Sequence, residues 1–252
     1  MVDGVRAKTD LVLHAGQRVE VAAPCAPENP LVPCDEPVPV VYESEDVIVY
    51  DKPAGMATHP TRNQPEGTLA NVYAALMRRR GLSDAFRPTN RLDKNTSGLV
   101  LAAKTRFAAN SLAKSSDKRY LAIVQGELRG EGRVDAPIGR DPDSIIRRCV
   151  LEGGQPSVTE YRVLRTLRGH TLVELHTLTG RTHQIRVHMA HIGHPVAGDP
   201  LYGGKDELGV GGQCLHASEL ELTHPRTGER MHFYAPLPDY FKQVLTKLEK
   251  RG

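Results

Sequence analysis

The stretch SVTEYRVLRTLRGHTLVELHTLTG, Ser157–Gly180, carries two runs of β-branched, aromatic and aliphatic residues on either side of Arg168-Gly169. Two such runs meeting at a short glycine-containing turn read as a β-hairpin. Hairpins mean antiparallel pairing, which a chain of regular strand–helix–strand units does not need. Upstream, VPVVYESEDVIVYDKPAG (Val38–Gly55) holds two strand-like runs ending in a Lys-Pro-Ala-Gly turn, and GLVLAAK and RYLAIVQGEL read as further strands. Downstream, CLHASELEL and RMHFYAP add two more. Helix signals are fewer. From Thr68 to Arg80 the residues Leu69, Val72, Tyr73, Leu76 and Met77 recur at helical spacing, and Gly81 stops the run. Residues 105–117 and THQIRVHMAHIG read as short helices, and a C-terminal helix opens at Pro238 with Phe241, Val244, Leu245 and Leu248 on one stripe. Many strands joined mostly by hairpins predict an α+β fold, a mixed and largely antiparallel central sheet with flanking helices.

The 252 residues suit one large domain with a small appendage. Residues 1–37 differ from the rest: a short hairpin is expected around Leu11–Leu13, Gly16, Val19 and Val21, followed by a linker rich in proline. Residues 38–252 are then the main domain. No long apolar stretch suggests a membrane span, and MVDGVRAKTD lacks the apolar segment of a secretory leader. Cys25, Cys34, Cys149 and Cys214 stand far apart with no CxxC spacing, which predicts free thiols and a cytoplasmic protein.

The formal charge of +3 is only mildly basic. Its distribution is more telling, because Arg78, Arg79 and Arg80 cluster, as do Lys114, Lys118 and Arg119, and Arg140, Arg147 and Arg148. Each cluster alone reads as a solvated face; three together suggest a surface that contacts phosphates. There is no GxGxxG and no P-loop, which argues against a nucleotide cofactor.

Asp93 is the first candidate for chemistry. In NRLDKNTSGLVL it stands where a loop of turn formers, Asn95, Thr96, Ser97 and Gly98, enters an apolar strand. It reads either as a cap of that turn or as a carboxylate held for work. Arg186 is the second. It falls in the first turn of a helix for which Thr182 is a plausible N-cap, the end that the helix dipole makes unfavourable for a cation. That placement points to an anionic partner, with Asp93 the obvious one. The same stretch holds His183, His188, His191 and His194, but not HExxH; His188 and His191 share a face with core positions, where packed imidazoles are commoner than metal ligands. Tyr120 begins a strand after two cations and reads as a core tyrosine or as a ring that stacks on a planar base. Asp199, in GDPLYGG, reads as a turn residue.

NRLDKNTSGLVLAAK, KRYLAIVQG, GRTHQIRVHMAHIGHPVAGDPLYGG and CLHASELELTHPRTGERMHFYAPLP occur in the order found in RNA pseudouridine synthases of the RluA type, with DKPAGMATHP upstream. The resemblance covers roughly residues 38–240. It implies an isomerase that converts chosen uridines of ribosomal or transfer RNA to pseudouridine, with no cofactor and no metal. Carried over by position, Asp93 resembles the nucleophile, Arg186 the arginine that pairs with it, and Tyr120 the tyrosine that stacks on the base. Arg91 resembles the arginine that holds a flipped nucleotide, and Thr96, Arg181, His183 and Gln184 complete the expected substrate-binding set. Where the family usually has histidine before RLD, this chain has Asn90. The expected partner is RNA, with neither a membrane nor an obligate protein partner, and a monomer is expected. The alternative is a catalytically silent RNA-binding protein on the same fold. Residues 1–37 resemble the closing half of a small RNA-binding module without its opening helices.

Overall fold

The hairpin forms where the sequence puts it. In the computed structural model, which describes residues 1–7, 11–20, 31–62, 64–82, 85–204 and 206–250, Val158–Leu167 pairs antiparallel with His170–Thr177. Gly169 turns the corner at φ +63°, a conformation that costs glycine nothing. In chain order the strands are β1 Val40–Glu43, β2 Val47–Lys52, β3 Arg87–Pro88, β4 Ser97–Ala103, β5 Ser116–Gln125, β6 Glu131–Asp135, β7 Ile138–Arg140, β8 Arg148–Val150, β9 Val158–Leu167, β10 His170–Thr177, β11 Leu215–Thr223 and β12 Arg230–Tyr234. The helices are α1 Leu69–Arg79, α2 Arg106–Ser115, α3 Gln184–His191 and α4 Asp239–Lys250.

Ten strands form one sheet, with the order β1-β2-β4-β11-β5-β10-β9-β6 and with β12 beside β11 and β3 beside β4. Among the described residues only β4 and β11 run parallel. The sheet is therefore mixed and largely antiparallel, as expected, and β7 and β8 make a separate two-stranded ribbon.

Helices cover both faces. Leu69, Val72, Tyr73 and Met77 of α1 and Ile185 and Met189 of α3 pack on Ile48, Val100, Ala122 and Val173. On the other face α2 meets Val47, Leu99 and Leu101, and α4 meets Ile123 and Leu172. Successive strand residues point to opposite faces, so β4 must be apolar throughout, which explains its unbroken GLVLAA. Each large apolar side chain removed from water here contributes about 1.5–3 kcal/mol. Gly98 is dictated by the parallel pairing: it faces Ala217, and a Cβ there would stand 2.2 Å from the Ala217 carbonyl oxygen.

Met1–Pro30 forms a small unit of its own and Leu31–Gly252 the main one. In the first, His14–Gln17 makes a turn and Val2 bridges Val19; Val21, Cys25 and the start of the linker lie outside the described residues. In the second, Asp35 pairs with Arg79, and Asn71 donates to the Val32 carbonyl.

Candidate active site

The apolar β4 pulls the loop before it, Thr89–Thr96, into the structure, and neighbouring segments fix its course. Asn90 pairs its amide with β4, donating to Leu99 O at 3.0 Å and accepting from Leu101 N at 2.9 Å. Leu92 is buried, with Thr58 Oγ1 donating to its carbonyl and accepting from its N–H. Gly55 N donates to Lys94 O, and Thr96 N closes a turn onto Asp93 O. Lys52, at the end of β2 and fully buried, donates to the carbonyls of Pro53, Met56 and Lys94. The DKPAG turn is thus the cradle of the Asp93 loop. Burial brings the Lys52 ammonium down to about 7, against the pull of Asp93 and Asp51 in the other direction.

Between these clamps the Asp93 side chain reaches the surface, 26 % exposed, with exposed Arg91 and Lys94 in the same loop. Arg186 Nη1 donates to Asp93 Oδ2 at 2.8 Å, the pairing expected from the sequence. The same guanidinium donates Nε and Nη2 to Asp199 Oδ2 and Oδ1 at 2.6 and 2.8 Å. Arg186 is 4 % exposed and Asp199 fully buried. Burial alone would weaken the guanidinium's hold on its proton, but the bonds to Asp199 and the charge of Asp93 reverse this and hold it above the usual range. A planar fork bonded to two carboxylates is a fixed cation, oriented by one acid and presented to the other. Asp199 does stand in a turn, accepting from Leu201 N at 3.0 Å, yet its main task is to hold Arg186. The only trace of that in the sequence was a carboxylate close to a buried cation.

Tyr202 also escaped the sequence reading. Its ring lies under Arg186, with Cζ 5.0 Å from the ring centroid. Its hydroxyl accepts from Arg148 N at 3.0 Å and meets His183 Nδ1 at 2.7 Å. His183, not Thr182, is the N-cap of α3, and it adopts the left-handed conformation at φ +59°. Its Nε2 stands 3.9 Å from Asp93 Oδ2. Tyr120, on β5 opposite Leu175 and Ala217, is 8 % exposed and feels the charge of Asp93; burial pushes its phenol up to about 12, against a bond to Thr177.

Other expected residues fall differently. Arg91 and Arg181 are exposed, the latter with Nε on Pro156 O at 3.2 Å. Thr96 is 2 % exposed and accepts from Gln213 Nε2, so it shapes the loop instead of facing solvent. Gln184 is likewise buried and fully engaged: it accepts from Thr179 Oγ1 and Arg181 N and donates to Val158 O and Thr159 Oγ1. It pins the turn before α3 to β9 and has no free group to offer a substrate. His188 is spent inside on Thr159 and Ala136 O, as its core position suggested, whereas His191 is exposed. Of the basic clusters, Arg79 and Arg80 pair with Asp35 and Glu43, and Arg119 with Glu174, which favours the structural reading for those residues.

A groove of about 650 Å³ between Arg119, Arg162, Glu174 and His176 lies elsewhere. Arg119 and Glu174 alternate with Tyr120 and Leu175, so their side chains point away from the face that carries Asp93. The Asp93 region is the better candidate because chemistry needs converging groups, and those of the groove are already paired with one another.

Residues 46–191 match the family described as RNA pseudouridylate synthase. The chain is 38% identical to ribosomal large subunit pseudouridine synthase D of Xanthomonas campestris, covering 99% of this chain and 81% of that one. It is 40% identical to the protein of the same name from Escherichia coli K12, over 91% of this chain and 76% of that one. Among solved structures, human RNA pseudouridylate synthase domain containing 1 is similar with a TM-score of 0.64 and 28% identity, over 81% of this chain and 85% of that one.

Proposed function

Because the chain belongs to the RNA pseudouridylate synthase family, as its RluA-type motifs suggested, we propose that Asp93 is the nucleophile with which it isomerises uridines of ribosomal RNA. The observation that carries the assignment is a single oriented carboxylate, open to solvent and fixed at 2.8 Å by a buried guanidinium. A carboxylate so held can add to an electrophilic carbon of the nucleotide, the sugar C1′ or the base. The C1′–N1 bond breaks, the base turns, a C1′–C5 bond forms, the bond to Asp93 is released, the C5 proton is lost and N1 gains a proton. No redox partner is needed, since the product is an isomer of the substrate.

The target base must leave its stack to reach Asp93, at a cost of a few kcal/mol. Tyr120, within reach of the charge of Asp93 and protonated at neutral pH, is the face on which the base stacks. Exposed Arg91, two residues from the nucleophile, holds the flipped nucleotide. Arg140 and Arg148 on the β7–β8 ribbon contact phosphates, whereas Arg147, in the loop between the two strands, is paired with Asp141. Residues 1–37 are an appendage to a catalytic domain of residues 38–252, and the enzyme acts in the cytoplasm as a monomer. Among the described residues no helix is long and apolar enough to cross a membrane.

The test uses total RNA from cells lacking the gene, labelled with tritium at uridine C5. The wild-type protein should release tritium and Asp93→Asn should release none while binding the RNA as tightly. Wild-type release by the variant removes Asp93 from the mechanism. Mapping pseudouridines with and without the gene identifies the RNA, and sites confined to transfer RNA would overturn the ribosomal assignment.

A further inference from the structure

We propose that His183 is a positioning residue for Asp93: Tyr202, held by the backbone N–H of Arg148, fixes the imidazole so that its Nε2–H is directed at Asp93 Oδ2, leaving Oδ1 as the attacking oxygen. The inference rests on the synthase reading of the site and assigns His183 a task other than contact with the RNA.

Three observations carry it. The first is backbone conformation. Among the described residues only Asp3 and His183 have positive φ without being glycine. A residue kept in that region is retained where its surroundings enforce it, and such residues gather at functional sites. Here the left-handed turn starts α3, with Val187 N donating to His183 O at 2.9 Å, while the side chain stays beside Asp93.

The second is proton accounting. Tyr202 Oη accepts from Arg148 N at 3.0 Å. Its own O–H needs an acceptor, and among the described residues the one in reach is His183 Nδ1 at 2.7 Å. Nδ1 is therefore the acceptor and the ring proton sits on Nε2, the nitrogen facing Asp93. The groups around the imidazole are Asp93, Arg186, Asp199 and Arg148. Burial leads the causes that lower its pKa, helped by the two arginines and opposed by the two acids, a balance that favours the neutral ring.

The third is the division of the carboxylate. Arg186 Nη1 takes Oδ2 at 2.8 Å, and His183 Nε2 approaches the same oxygen at 3.9 Å. Asp93 Oδ1 has no protein partner among the described residues. The longer approach exceeds a hydrogen bond, and contacts of this kind tighten when substrate closes the site. With that approach closed to hydrogen-bond length, Arg186 and His183 are two donors on one oxygen, which set the plane of the carboxylate and aim the other oxygen. Tyr202 supports both donors, since its ring also carries Arg186.

The test compares His183→Asn, His183→Gln and Tyr202→Phe in the full chain, with Asp93→Asn as the benchmark. The readouts are the single-turnover rate of tritium release at saturating enzyme and the enzyme concentration giving half that rate, on the total RNA described above. Asparagine tolerates the left-handed backbone but ends where Nδ1 was; glutamine reaches the position of Nε2. We expect His183→Asn to lower the saturating rate about ten- to a hundredfold with the half-saturation point within about twofold. His183→Gln should recover to within about fivefold of wild type, and Tyr202→Phe should fall between them. A wild-type rate for His183→Asn, a loss confined to half-saturation, or glutamine no better than asparagine each overturns the proposal. Should the histidine variants fail to fold, Tyr202→Phe, which keeps its ring under Arg186, decides: an unchanged rate refutes it. An active Asp93→Asn would instead sink the reading of the whole site.

Discussion

Arg186 touches two carboxylates in different surroundings, one buried and one partly exposed, so removing each charge should have unequal consequences for stability. Asp199 is fully buried and takes two of the three guanidinium bonds. Asp199→Asn keeps the shape and an acceptor for Leu201 N, but it places an amide nitrogen against a guanidinium donor and leaves a buried cation short of its main counter-charge. Breaking a buried pair on one side costs about 3–5 kcal/mol; with the shape retained, about 3 kcal/mol is expected. A domain of this size loses about 2–4 °C of melting temperature per kcal/mol, so the variant should melt about 6–12 °C lower. Asp93 is 26 % exposed and holds one bond, and its loss leaves Arg186 paired with Asp199. Asp93→Asn should therefore shift melting by under about 4 °C, in keeping with a contribution of about 0–1 kcal/mol. Turnover should fall in both, to nothing for Asp93→Asn and severely for Asp199→Asn through a displaced Arg186. Calorimetry beside tritium release separates the cases. If Asp199→Asn melts within about 2 °C of wild type, or if Asp93→Asn is the less stable of the two, the division into a holding acid and a working acid is wrong.

Lys52 makes stability depend on pH. Its folded value of about 7 lies below the ordinary 10.5, so between those limits the unfolded chain carries the proton that the folded one lacks. This group's contribution therefore rises with pH across that window, by about 1 kcal/mol per unit, and its full burial cost is present below 7. Urea midpoints from pH 6.5 to 9.5 should improve for wild type relative to Lys52→Met, and a flat difference contradicts the burial. Gly98→Ala would drive a methyl into Ala217 O at φ +107°; a loss above about 3 kcal/mol, or insoluble protein, is expected, and a soluble variant of wild-type urea midpoint would count against the close β4–β11 approach. Tyr120→Phe keeps the ring and should retain turnover within about tenfold, whereas Tyr120→Ala should lose more than about a hundredfold; equal rates for the two would remove stacking as its role.

Part of the site was legible early because its signals are local. NRLD before an apolar run marked Asp93, and a cation at a helix start marked Arg186 as seeking an anion. Gln184 and Thr96 lie in the same motifs but turned inward, since the buried turn around them needs side-chain partners for its polar groups. Asp199 reads as a turn residue in GDPLYGG, and it is one. Its second role depends on α3 lying against the 196–204 loop, and no spacing rule announces that.

Alternation, helical spacing and glycine at turns gave the strands, the helices and the largely antiparallel sheet, because these patterns act over a few residues and each element must hide its apolar side. Folding in three dimensions set the rest: which acid holds Arg186 and which receives it, where Lys52 is buried, and which nitrogen of His183 faces Asp93. Asp93 and Arg186 are 93 residues apart in the chain, and their meeting follows from packing β4 against β11 and α3 across the sheet. Contacts at that separation are fixed by how whole elements fill space together, which local composition does not encode.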